Sequence, residues 1–237
     1  VKAQTICSVD LGINTDAVCT IMRPDGTILG RKFINFPSDK DRMYRVLGRI
    51  RRFQREHGSR QVQGRWAYAK RLNTELGKKI AREIVFYASE NRADVIVFEY
   101  LEMKGKLSGK KKQKLQMWRK RDIQKRCGQQ AHRKGIRISR ICAWNTSRLA
   151  FDGSGKIDRD IQDHRLCTFQ NGKRYNCDLS ASYNIGARYF IREILKPLPA
   201  TERSLLEAKV PAVKRRTSCV YADLRDLISE MELRKAA

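Results

Sequence analysis

A chain of 237 residues with 41% hydrophobic residues can bury a sizeable core, which excludes a disordered segment and fits one large domain, or one domain with an insertion. Its 51 Lys and Arg against 25 Asp and Glu leave a net charge of +26, a balance that repels itself unless the partner is a polyanion. Nucleic acid fits better than an anionic membrane, because the basic residues spread along the whole chain and no stretch is apolar enough to span a bilayer.

No signal peptide is evident, and Val1 stands almost inside the first expected strand, so a piece of a longer protein is expected. The seven cysteines are odd in number and scattered, with no C-x-x-C pair. That usage points to reduced thiols, several of them small core residues, in a cytosolic setting (a bacterial cytosol, at the nucleoid).

Gln4 to Val9 reads as a buried strand and Ala17 to Met22 as a second. A turn with Asp-Gly chemistry at Arg23–Ile28 leads into a third strand, "TILGRKFINF", giving an antiparallel meander. Ser38 and Asp39 are N-cap candidates for a helix in which Met43, Val46, Leu47 and Ile50 recur at helical spacing, with arginines from Arg42 to Arg55 around them. A second helix is expected from about Trp66 to Asn91, with Leu72, Leu76, Ile80, Ile84 and Tyr87 as its apolar stripe. "ADVIVFE", Ala93 to Glu99, is a short continuous apolar run after a helix, the pattern of a parallel strand buried on both faces. A basic loop follows, then a helix over Leu115–Lys134 and a fifth strand in "GIRISRICAW". Residues 145–176 read as irregular, with a hairpin turning at Asn171-Gly172. A helix then opens immediately after Asp178 and ends before Pro197 and Pro199, and an amphipathic helical tail runs from Thr201.

The order β-β-β-α-α-β-α-β-α predicts an α/β, ribonuclease H-like fold. Its mixed five-stranded sheet has three antiparallel then two parallel strands, with helices on both faces and a small irregular insertion before the last core helix. Right-handed crossovers place the fourth strand beside the first. Asp10 and Glu99 then sit at the carboxyl ends of neighbouring parallel strands, where such folds build their sites, and Asp178 can reach the same end. Taken singly, Asp10 is a turn residue, Glu99 an exposed strand end and Asp178 a helix N-cap. Together, three converging carboxylates repel one another and suit a divalent cation with hard oxygen ligands, Mg²⁺ or Mn²⁺. Two such ions, about 3.5–4 Å apart, orient a water and stabilise a leaving 3′ oxygen. Asp16 falls in the turn before the second strand and has no catalytic role in this reading.

"SVDLGI", "VIVFEYL" and "DLSASYNIGA" resemble the three segments of a RuvC nuclease, and more narrowly those of the transposon-encoded RNA-guided endonucleases (TnpB) and the related type V CRISPR effectors. The resemblance covers roughly residues 4 to 195, and the three segments in order make it specific. It implies a metal-dependent endonuclease with Asp10, Glu99 and Asp178 as catalytic and Mg²⁺-binding residues, leaving 5′-phosphate and 3′-hydroxyl ends. It implies a DNA substrate, as a single strand or an R-loop, and a guide RNA held through wedge and recognition parts that this chain lacks. Ser180 and Ser182 replace an Asn and an Ala of the third segment. The resemblance also implies a four-cysteine zinc ribbon before that segment, but Ala150, Gly153 and Gln170 stand where cysteines would fall. One remaining Cys167 cannot complete a tetrahedral zinc site. The resulting division is a core over 1–145, a degenerate zinc-ribbon-like nucleic-acid-binding insertion over 146–176, the third segment over 177–200, and a helical tail over 201–237.

From Lys104 to Arg121 there are nine Lys or Arg and no acid. Lys104, Lys106, Lys110, Lys111, Lys112, Lys114, Arg119 and Arg121 are candidate phosphate contacts, with Trp118 as a candidate for base stacking; the Arg42–Arg55 helix is the second such surface. His57, His132 and His164 stand far apart and form no triad. Two other functions fit parts of the sequence. One is a nucleic-acid-binding module that does not cleave. The other is an actin-like kinase opening on D-x-G, which lacks the further Gly-rich phosphate and adenosine segments that fold needs.

Overall fold

β1 (Ile6–Asp10), β2 (Ala17–Met22), β3 (Ile28–Ile34), β4 (Val95–Tyr100) and β5 (Arg137–Cys142) form one sheet in the order β3-β2-β1-β4-β5. The computed structural model describes residues 4–58, 62–100, 120–215 and 217–236. β1, β2 and β3 are antiparallel neighbours, while β4 runs parallel to β1, and β5 to β4. This is the expected ribonuclease H-like α/β fold. The continuous apolar runs of β1, β2 and β4 are buried along their length, whereas the edge strand β3 alternates.

Six α-helices are described: α1 (Pro37–His57), α2 (Gln63–Glu90), α3 (Lys120–His132), α4 (Cys177–Leu195), α5 (Ala200–Lys209) and α6 (Tyr221–Ala236). Strand periodicity splits the core in two. Cys7, Val9, Ile96 and Phe98 point to the face covered by α2 and α3, against Ile80, Ile84, Ile123 and Cys127. Ile6, Val95 and Val97 point to the opposite face, against Tyr183, Phe190 and Leu195 of α4. The tail packs on that same side: Leu206, Val213, Leu224 and Leu227 join the α4 cluster. Because the tail covers its outer side, α4 is buried all round, with only Asp178, Arg192 and Glu193 outside the buried set.

α4 lies unusually close to the sheet. A Cβ at Gly186 would come within 2.8 Å of Met22 Cε and 3.2 Å of Ser8 Oγ. The two serines of the third segment have structural partners here. Ser182 shares a 2.6 Å hydrogen bond with Thr20 of β2, and Ser180 accepts from the Phe151 amide of the insertion.

Three local expectations are corrected. Ser38 and Asp39 do not cap α1: Pro37 occupies its first turn behind Phe36, and Asp39 pairs with Lys79 at 2.7 Å. Asp178 does not cap α4. The helix opens at Cys177, and the Asn176 side chain accepts from the Leu179 amide. The insertion is not irregular: β6 (Asp158–Arg159), β7 (Leu166–Thr168) and β8 (Arg174–Asn176) form a second antiparallel sheet, turning at Gly172 with φ 83°. It has its own core, in which Ala150 packs with Cys167, Phe169 and Cys177. The Cys167 thiol donates to the Tyr175 carbonyl at 3.4 Å.

Candidate active site

The parallel register pairs Ile6 with Val95 and Ser8 with Val97. Two residues further on, Asp10 and Glu99 leave the sheet side by side, on the face that carries α4. Both are buried, at 6% and 7% exposure. A tight turn follows Asp10, and it has room only for glycine: a Cβ on Gly12 would collide with the Thr15 carbonyl and lie 3.5 Å from Asp178 Oδ2. Since Asn176 caps α4, the Asp178 carboxylate is free of that duty; it accepts a hydrogen bond from the Thr15 side chain. Asp10 and Asp178 thus meet at one cavity of about 400 Å³, whose wall also includes Gly12, Lys120, Ser147, Arg159 and His164.

The electrostatics are those of crowded acids partly offset by cations. Burial, first, and the neighbouring Glu99 hold the Asp10 carboxyl well above the usual range, Asp178 adds to this, and Lys120 and Arg159 oppose it. Burial also raises Asp178, against Arg159, the Thr15 hydrogen bond and Lys120. Lys120 is itself lowered by desolvation, although all three carboxylates favour its charged form.

Glu99 is held differently. Its side chain stands 4.0 Å from Lys120 Nζ and accepts from the Thr146 hydroxyl, while its backbone carbonyl accepts from Gln124 Nε2 at 3.0 Å. Thr146 is presented by a turn in which Asn145 takes the left-handed conformation, φ 57°, that Asn tolerates better than most residues. Among the described residues no three Asp, Glu, His or Cys side chains are grouped closely enough to hold one metal ion. The expected three-carboxylate ion site is therefore brought to one end of the sheet but not closed around a single point. Lys120 and Thr146 engage Glu99, and buried like charges stay apart. The donor set nonetheless suits a hard divalent cation: three carboxylates, two of them raised by burial, carry negative charge that a cation would relieve.

The three acids expected from the sequence lie at one end of the sheet, and the groups around them carry weaker signals. Lys120 lies within the basic run with nothing to distinguish it there, Arg159 and Thr146 carry no periodic signal, and His164 stands apart from the other two histidines. Lys104, Lys106, Lys110, Lys111, Lys112, Lys114, Trp118 and Arg119 lie outside the described residues, and Arg121 is exposed on α3. The second basic surface is clear. Arg42, Arg45, Arg49, Arg51, Arg52 and Arg55 of α1 are all exposed, and Tyr44, Gly48, Arg51, Gln54 and Arg55 line a shallow notch with Arg51 over the Tyr44 ring. Asp16 is structural: it accepts from the Phe36 amide and pairs with Lys40 at 3.0 Å.

No family model matches the chain, and no curated protein matches it. Solved structures do. One is that of a Cas12f1–sgRNA–target DNA complex, with TM-score 0.58 and 18% identity over 76% of this chain and 49% of that one. Another is a CRISPR-Cas12f ternary complex, with TM-score 0.54 and 16% identity over 76% and 38%. A third is Alicyclobacillus acidoterrestris C2c1 in complex with single-guide RNA, with TM-score 0.56 and 12% identity over 79% and 39%. What is shared is the ribonuclease H-like fold. The chain spans about half or less of the length of these proteins.

Proposed function

We propose that this chain is the DNA endonuclease domain of an RNA-guided nuclease, hydrolysing phosphodiesters by metal-assisted carboxylate chemistry. One observation carries the reading: Asp10, Glu99 and Asp178, from three distant segments, reach the same end of the sheet, two of them on the wall of a cavity where Lys120 and Arg159 partly offset their charge. Asp10, Glu99 and Asp178 would hold Mg²⁺ or Mn²⁺, two ions in all. Such ions, when bound, supply an activated water and neutralise charge on the leaving 3′ oxygen, giving 5′-phosphate and 3′-hydroxyl ends. The chain's own residues do the rest. Arg159 and Lys120 attract the scissile phosphate to the carboxylates, Thr15 and Asn176 leave Asp178 directed at the cavity, and Gly12 keeps a side chain off the Asp178 carboxylate.

The net charge of +26, the α1 arginines and Arg121 support backbone contacts to nucleic acid, and Lys104–Arg119 belongs to the same reading. The insertion, 146–176, supplies Arg159 to the cavity and in this reading touches target DNA. Guide RNA would be held with parts of the protein outside this chain; two of the similar solved structures are complexes with single-guide RNA, one of them with target DNA as well. A cytoplasmic site of action accords with seven free cysteines. Among the described residues no helix is long and apolar enough to cross a membrane. The test is Mg²⁺- or Mn²⁺-dependent cleavage of single-stranded DNA: Asp10→Ala should abolish it, and cleavage at the wild-type rate by that variant would sink the reading.

A second reading is a nucleic-acid-binding module that does not cleave. The observation in its favour is that Lys120 stands beside Glu99 and that no three ligands are grouped among the described residues. Oligonucleotide binding that survives EDTA, with no divalent ion eliciting cleavage, would select it.

A further inference from the structure

Besides Ser180 and Ser182, two larger polar side chains on α4 are buried outside the cavity wall. Asn184 is fully buried, and Arg188, one helical turn on, is 3% exposed. Burying an amide and a guanidinium costs free energy unless their hydrogen bonds are replaced, so their partners are informative. Asn184 Nδ2 donates to the carbonyls of Thr146 at 3.0 Å and Leu149 at 2.9 Å, and its Oδ1 accepts from the Tyr221 amide at 3.1 Å. Arg188 Nη1 donates to the carbonyls of Cys142 at 2.9 Å and Trp144 at 2.7 Å, and its Nε to that of Cys219 at 2.8 Å. Its Nη2 finds no partner among the described residues. Both side chains therefore tie the same two segments together: the loop 142–149 that leaves β5, and the segment 219–221 that enters α6.

The loop carries Thr146, whose hydroxyl donates to Glu99. That hydroxyl has a competing acceptor, the Ala143 carbonyl at 3.1 Å. A slack loop would let Thr146 turn to its own backbone and leave Glu99 to Lys120. We propose that Asn184 and Arg188 are positioning residues that clasp the C-terminal segment to the 142–149 loop, so that Thr146 holds the Glu99 carboxylate beside Asp10. The proposal rests on the nuclease reading for its catalytic consequence, and it makes the tail beyond residue 200 a support of the site. Hydrogen-bond partners of metal-binding carboxylates govern affinity and rate in just this way.

The test uses the full 237-residue chain. Asn184→Asp keeps the shape and the Oδ1 acceptor and removes both donated bonds. Hydrogen exchange should then speed up together in segments 142–149 and 219–224. With Mn²⁺ and a single-stranded DNA oligonucleotide, kcat should fall by roughly tenfold to a hundredfold at unchanged KM. Thr146→Val should reproduce the loss in kcat without loosening 219–224, and Thr146→Ser should retain wild-type kcat. If Asn184→Asp does not fold, the two Thr146 variants decide. Thr146→Val cleaving at the wild-type rate, or exchange rising in one segment alone, would overturn the proposal. A wild-type chain that cleaves nothing would remove the nuclease reading, and the exchange arm would still decide the clasp.

Discussion

α1 and α4 have similar lengths, 21 and 19 residues, and opposite surroundings. α1 buries only Met43 and Ile50, packs on α2 through a small separate cluster, and turns its arginines outward. α4 is buried almost throughout and delivers Asp178 to the cavity at its first turn. Position errors at α4 reach the Asp178 carboxylate at the cavity, while α1 touches the rest of the fold only through a small separate cluster. A chain that handles a long polyanion needs both: a rigid element to set chemistry within fractions of an ångström, and an open cationic face whose exact placement matters little.

The largest effects are expected at the covered end. Asp10→Ala or Asp178→Ala should lower the rate of DNA cleavage by roughly 10³-fold or more while leaving oligonucleotide affinity nearly intact. The open face should behave in the reverse manner. Replacing Arg45, Arg49 and Arg52 by Ala should weaken binding about tenfold at moderate salt and flatten the plot of log affinity against log salt by about one per lost phosphate contact, with kcat at saturation unchanged. A loss of kcat there would erase the distinction.

Two helix glycines sharpen it through stability. Gly186→Ala pushes a Cβ against Met22 and should cost about 1–3 kcal/mol in urea unfolding. Gly48→Ala meets nothing within 4 Å and should stabilise by about 0.5–1 kcal/mol.

The smallest effect concerns the buried acid. Because burial and Glu99 raise the Asp10 carboxyl, the folded chain binds that proton more tightly than the unfolded chain does. Its contribution to stability therefore falls as pH rises from the unfolded value of 3.8 through the raised folded value, and the full penalty remains above it. Asp10→Asn in EDTA should raise the melting temperature at pH 8 by a few degrees, for about 1 kcal/mol in a domain of this size, and the gain should vanish below the unfolded value. A melting temperature that is unchanged at pH 8 would count against a strained Asp10.

Much of the site could be read along the chain. "VIVFE" and "SVD" are short-period patterns, and local sterics turn them into strands whose alternate residues share a face. Once two such strands are parallel neighbours, Asp10 and Glu99 must emerge together. Asp178 was legible as a third acid at a helix start that can reach the same end of the sheet, and the capping role it would fill if taken singly belongs to Asn176. Thr146, Lys120, Arg159, Asn184 and Arg188 were not legible in that way. Each acts on partners at separations from 19 residues (Arg159 to Asp178) to more than 100 (Lys120 to Asp10), across a loop or an insertion whose path no local periodicity encodes.

The strands, the helices and the excess of positive charge were legible in the sequence alone, because each depends on composition or on a repeat of two or of 3.6 residues, and crossover handedness then ordered the strands. Only the tertiary structure decided that Glu99 would answer to Thr146 and Lys120, that Arg159 would face the same cavity, and that the tail would close over α4. Those outcomes depend on which buried polar groups can find partners once the chain is packed, and that is settled by contacts between segments rather than within them.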